Sequence, residues 1–108
     1  MGQKFANVVR LYIDDTGRRL STIGELIASQ GKGANIARHA HSILSSSQYF
    51  GVMRLAGLAE TLETMASAAK NADRLDKPSA AASSFTAMQK AFAAARPMLE
   101  KHFEKPAS

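Results

Sequence analysis

Few residues of this chain have chemistry to offer, and most of them crowd into one stretch, ARHAHSILSSSQ, from Ala37 to Gln48. Its histidines are the natural starting point. Near neutral pH much of an imidazole is unprotonated, so a ring nitrogen can act as a nucleophile or accept a phosphoryl group. Read as a helix, the stretch puts Ile36, Ala40, Ile43 and Ser47 on one stripe, about 135° around the axis from His41. His41 is therefore presented to solvent. Its surface neighbours are Ala37, Arg38, Leu44, Ser45 and Gln48. His39 falls on the other side of the helix, nearer the interior.

Competing chemistries fit poorly. His39 and His41 face apart on a helix, so they make a weak metal pair, and without cysteine there is no thiolate site. Ser45, Ser46 and Ser47 have no base and carboxylate placed to activate a nucleophile, and read as small residues for packing and docking. Asp14 and Asp15 are adjacent, hence on different faces, and read as solvated. His39 and His102 read as structural or solvated. No metal or cofactor of the chain's own is expected.

The formal net charge is +5, which admits nucleic acid, an anionic membrane surface or an acidic protein as partner. The basic residues are scattered and only 6% of residues are aromatic, which argues against a dedicated nucleic-acid face. No acid occurs between Glu25 and Glu60, while Lys32, Arg38 and Arg54 fall inside that gap. One part of the molecule should be locally positive, which favours a dianionic group.

The elements that position this segment are helices, because alanine is abundant and strand signals are absent. Phe5, Val9, Tyr12, Thr16, Leu20, Ile23 and Ile27 recur at helical spacing and predict one helix from about residue 4 to 29. Gly31-Lys32-Gly33 should stop it. A second helix is expected over Ala34 to Gln48, with Gly51 as the break. A third carries Val52, Leu55, Ala59, Leu62, Ala66 and Ala69 inward. Asp73 to Ser79 reads as a loop. A fourth presents Ala81, Phe85, Met88, Phe92, Ala95, Leu99 and Phe103, with Pro97 kinking it or ending its regular part early. Four amphipathic helices on short connections predict an all-α, antiparallel up-down-up-down four-helix bundle. The expectation is a single domain over residues 1–108, frayed at 105–108 and monomeric. With no spanning segment, secretory leader or fitting myristoylation signal, it should be soluble and cytoplasmic.

A family resemblance rests on these same residues. AHSILSSSQYFG, Ala40 to Gly51, resembles the signature of the histidine-containing phosphotransfer (Hpt) domain of bacterial two-component phosphorelays. That signature has Ala-His, an aliphatic residue, small and hydroxyl residues, and Gly ten positions after the histidine. Ala40, His41, Ile43, Ser45, Ser46, Ser47 and Gly51 match it. RLAGLAETLE, Arg54 to Glu63, is similar to the family's third helix, which typically ends in Leu-Glu, and FANVVRLYIDDTGRRLSTIGELIASQGKG to its long first helix and turn. The resemblance implies phosphorylation of His41 on Nε2 by a phospho-aspartyl receiver domain or a kinase, with Ala37, Arg38, Leu44, Ser45 and Gln48 near the phosphoryl group or the docked partner. Partners would be receiver domains of response regulators or hybrid histidine kinases, and Mg²⁺ would sit in the receiver. The chain would be a phosphocarrier rather than an autonomous enzyme. It departs from the pattern at Leu44, where the family commonly has a lysine thought to steady the phosphoryl group; Arg38, within one turn, is a partial substitute.

Two other classes stay open. A phosphate-silent bundle that binds receivers as an adaptor or inhibitor is supported by Leu44. A basic nucleic-acid or membrane-surface protein is supported by net charge alone. Acid-labile, base-stable phosphate on the chain, receiver binding without uptake, and steeply salt-dependent DNA binding would distinguish the three.

Overall fold

A computed structural model describes residues 2–68 and 78–101, with side chains over 7–68 and 78–101. It contains four helices: α1 (Gly2–Ala28), α2 (Gly33–Tyr49), α3 (Met53–Ala68) and α4 (Pro78–Leu99). No strand occurs among the described residues, so the fold is all-α. Each helix packs on two neighbours, in the ring α1–α2–α3–α4–α1. The result is an elongated bundle of 52 × 20 × 20 Å.

The helical periodicity decides what is inside. Val9, Tyr12, Thr16, Leu20 and Ile23 of α1 are buried, as are Ile36, Ala40, Ile43 and Ser47 of α2. Leu55, Ala59, Leu62 and Ala66 of α3 join them, with Ala81, Met88, Phe92, Ala95 and Leu99 of α4. Each large aliphatic side chain so buried contributes roughly 1.5–3 kcal/mol. Ile27 and Phe85 are only half-buried at the rim. The side chains of Phe5, Ala69, His102 and Phe103, residues 73–77 and the tail 105–108 lie outside the described residues.

Specific contacts fix the alignment of α1 with its neighbours. The Tyr12 hydroxyl is 2.7 Å from Ser47 Oγ in the core, and Arg19 reaches His39 higher up. On the other flank Arg10 reaches Glu100, Gly17 faces Phe92 and Gly24 faces Phe85. Numbers rising along α1 therefore meet numbers falling along both α2 and α4. Gly24 is there for space: a Cβ would stand 2.8 Å from Phe85 Cζ. Thr16 Oγ1 is buried on the same face of α1 as the Tyr12 hydroxyl, whose ionised form it favours.

Two turns close by the same device, in which a left-handed residue lets two amides cap the preceding helix. After α2, Gly51 (φ 75°) takes this conformation while its N–H donates to the Gln48 carbonyl and Val52 N–H donates to that of Ser47. After α1, the left-handed residue is Gln30 (φ 58°), not a residue of Gly31-Lys32-Gly33 as the glycines suggested. Gln30 N–H donates to Ile27 and Gly31 N–H to Leu26. Gly31 serves a different need, since a Cβ there would meet Leu26 Cδ2 at 2.7 Å.

α4 begins at Pro78, earlier than the loop expected over 73–79 allows. A missing N–H costs nothing in a first turn, and the ring holds φ near its helical value. At the far end the helix continues past Pro97 to Leu99 and then widens into a π-type turn at Glu100 and Lys101. Proline removes one bond of the ladder, and the widened last turn follows it.

Candidate functional site

α2 is the helix on which the candidate residues lie, and its buried stripe orients them. Measured around the axis, Arg38 and Ser45 lie about 40–60° to one side of His41, and Ala37 and Leu44 about 40–60° to the other. The second side is the one facing α3. Arg38, His41, Ser45 and Gln48 are exposed. Ala37 and Leu44 are half-buried and pack against the core. This corrects the reading of Ala37 and Leu44 as surface neighbours of His41: the offset toward α3 brings both side chains onto the core's edge.

The His41 ring is 59% exposed, and its Nδ1 lies 3.0 Å from Glu63 Oε2 of α3. An ionised carboxylate can only accept, so Nδ1 carries the hydrogen and donates it. In the neutral ring the lone pair is then on Nε2, the nitrogen on the far side from Glu63. An exposed, oriented Nε2 with a free lone pair is the atom a nucleophilic imidazole requires.

Glu63 is the functional residue that the reading along the chain missed. The stretch free of acids between Glu25 and Glu60 suggested a locally positive part of the molecule, and the fold adds a carboxylate against His41 from beyond that stretch. The signal was available. His41 is ten residues before Gly51 and Glu63 twelve after it, so a helical hairpin turning at Gly51 sets them level. Arg38, Arg54 and Lys32 remain exposed.

His39 has a different environment. Its Nδ1 is 3.0 Å from Arg19 Nη1 of α1. A guanidinium can only donate, so Nδ1 accepts and the ring hydrogen is on Nε2. Asp15 Oδ2 accepts from Arg19 Nε, and Asp15 Oδ1 from Arg18 Nη2, both at 2.9 Å. Burial, then the charges of Arg19 and Arg38, lower the His39 pKa below the ordinary histidine value, with Asp15 opposing them. Charging this ring costs desolvation first and then repulsion from the two arginine charges.

The serines divide as well. Ser47 is bonded to Tyr12 in the core, and Ser46 Oγ donates to the Ser42 carbonyl at 2.9 Å. Only Ser45 is exposed on the His41 face. No cluster of three or more acids and histidines that could hold a metal occurs among the described residues. Among them, too, no helix is long and apolar enough to cross a membrane.

Comparison with known proteins returned one finding. The family model for the Hpt domain matches residues 7–97, and so takes in α2 and α3 whole and most of α1 and α4. No curated protein and no solved structure matches the chain. With the match spanning most of its length, the chain belongs to the Hpt domain family, whose members carry out histidine phosphotransfer in two-component phosphorelays and interact with receiver domains.

Proposed function

We propose that Nε2 of His41 accepts a phosphoryl group from the phospho-aspartate of a receiver domain and passes it to a second receiver. The observation that carries this reading is the His41 Nδ1–Glu63 bond on an exposed ring. In the transfer, the Nε2 lone pair forms the N–P bond while the P–O bond to the aspartyl carboxylate breaks, its electrons leaving with that carboxylate. No proton need move. The imidazole keeps its Nδ1 hydrogen and gains positive charge, which the Glu63 carboxylate offsets where it develops. Mg²⁺ and the acidic pocket come from the receiver, so the chain's part is to present and orient one nitrogen. Exposed Arg38, Ser45 and Gln48 form the docking face, with half-buried Ala37 and Leu44 along its α3 edge. The opposed numbering of α1 against α2 and α4 supports an up-down-up-down antiparallel order beneath it.

The test is incubation with a panel of phosphorylated receivers, with the product examined for acid-labile, base-stable phosphate and the labelled peptide mapped at alkaline pH. Label on His41 is the expected result, and label elsewhere refutes the assignment. A second reading, a receiver-binding adaptor that takes up no phosphate, is favoured by one observation: Leu44 packs on the core instead of supplying a cation. Receiver binding without any label would establish it.

A further inference from the structure

We propose that the end of the bundle where α2 turns into α3 is a docking tip for the surface of an anionic lipid bilayer. Five large apolar side chains are exposed among the described residues: Val8, Leu11, Tyr49, Met53 and Met98, from 40% for Val8 to 76% for Tyr49. Scattered singly, they would need no explanation. They are not scattered. Three contacts set the helices level: Tyr12 with Ser47, His41 with Glu63, and Gly17 with Phe92. On that alignment all five fall within about one helical turn along a bundle 52 Å long. The charged residues at the same level are Arg10, Arg54 and Lys101, against one acid, Glu100.

Shape and charge select the occupant. Val8, Leu11 and Tyr49 lie on the α1–α2 face, Met53 on the outer side of α3, and Met98 on the side of α4 turned toward α3. A partner lying along one flank would reach only some of them. A surface that meets the tip end-on reaches them all. A second copy placed tip to tip would bring two sets of three cations and one acid together, and the excess of like charge opposes that contact. An anionic bilayer reverses the sign. Its phosphate headgroups receive the cations while the apolar side chains enter the acyl boundary, and Tyr49 has the apolar body and polar end suited to that boundary. His41 is eight residues before Tyr49, about 12 Å along α2, so the tip can be seated while the His41 ring stays open. Attachment is thereby separated from the histidine, and the inference does not depend on phosphoryl transfer.

The test is flotation of the full chain with vesicles of phosphatidylcholine alone and of phosphatidylcholine mixed equally with phosphatidylglycerol. Binding is expected on the mixed vesicles and little on the neutral ones. Leu11→Gln combined with Tyr49→Gln should lower the partition coefficient on the order of tenfold or more, with the helical circular dichroism intact because both side chains are exposed. Arg54→Gln should lower it about fivefold, the effect of one charge near an anionic surface. Lys90→Gln, which removes a charge from exposed α4 surface away from the tip, should lower it less than Arg54→Gln does. The chain has no tryptophan, so Tyr49→Trp reports alone, and its emission should shift to the blue on the mixed vesicles. Absence of binding by the parent chain overturns the proposal, and so does equal binding by the double variant. Equal losses from Lys90→Gln and Arg54→Gln overturn the tip as the point of contact. Concentration-dependent sedimentation of the parent in buffer, abolished in the double variant, would assign the tip to a second copy instead. Loss of receiver affinity in the double variant, with no vesicle binding by the parent, would assign it to a protein.

Discussion

His39 and His41 are two residues apart on one helix, yet the bundle gives them opposite chemistry. Each uses Nδ1 for its one side-chain bond, at the same 3.0 Å. The partner differs: a guanidinium from α1 for His39, a carboxylate from α3 for His41. Because one partner only donates and the other only accepts, the ring hydrogens end on opposite nitrogens. His41 keeps an outward Nε2 lone pair, while the Nε2 of His39 carries a hydrogen and has no pair to offer. A rotation of about 200° around a helix, the product of two residues, thus separates a ring bonded to a carboxylate from one bonded to a guanidinium.

The largest effect should come from exchanging the two rings for an uncharged amide. His41→Gln is expected to abolish phosphate uptake with the helical circular dichroism intact, because an exposed side chain packs little. His39→Gln should leave uptake in place. Retention of label in the first variant and loss in the second would reverse the comparison.

Next comes the partner of His41. Glu63→Ala removes a charge-assisted bond, which should slow transfer about 10- to 100-fold in stopped-flow or quench measurements. Glu63→Gln should fall between the parent and Glu63→Ala, since the amide oxygen can still accept from Nδ1 but carries no charge. Equal rates for all three would mean that the tautomer does not depend on Glu63.

Leu44→Lys sharpens the comparison through stability. A half-buried leucine packed on the core loses about 1 kcal/mol or more when replaced by a charged chain, and chemical denaturation should register it. An unaltered midpoint would return Leu44 to the surface.

The smallest effect concerns His39. Its folded pKa lies below the ordinary value of 6.5, so the unfolded chain binds the proton more readily. The stability linked to this ring is complete above 6.5 and declines as pH falls through the lower folded value. Arg19→Met should flatten that dependence in pH-resolved thermal melts, since the Arg19 charge is one cause of the shift, and an unchanged profile would exclude it.

The sequence by itself determined the helices and their inner faces, because a 3.6-residue period in apolar side chains admits one packing face. The stripe Ile36, Ala40, Ile43 and Ser47 is enough to turn His41 outward and His39 toward the interior. The break at Gly51 was also legible, since a left-handed residue there favours glycine. The Gln30 turn was not, because three nearby residues could each have closed α1 and only the capping bonds select among them. Nor was the depth of Leu44 legible, as a position between core and solvent is settled by the neighbouring helix. The tertiary structure alone decided the partners of the two histidines. Glu63 is 22 residues from His41 and Arg19 is 20 from His39, so neither contact follows from the spacing within one helix. Which nitrogen holds the hydrogen is fixed by a side chain on another helix, and that choice leaves a lone pair on Nε2 of one ring and a hydrogen there on the other.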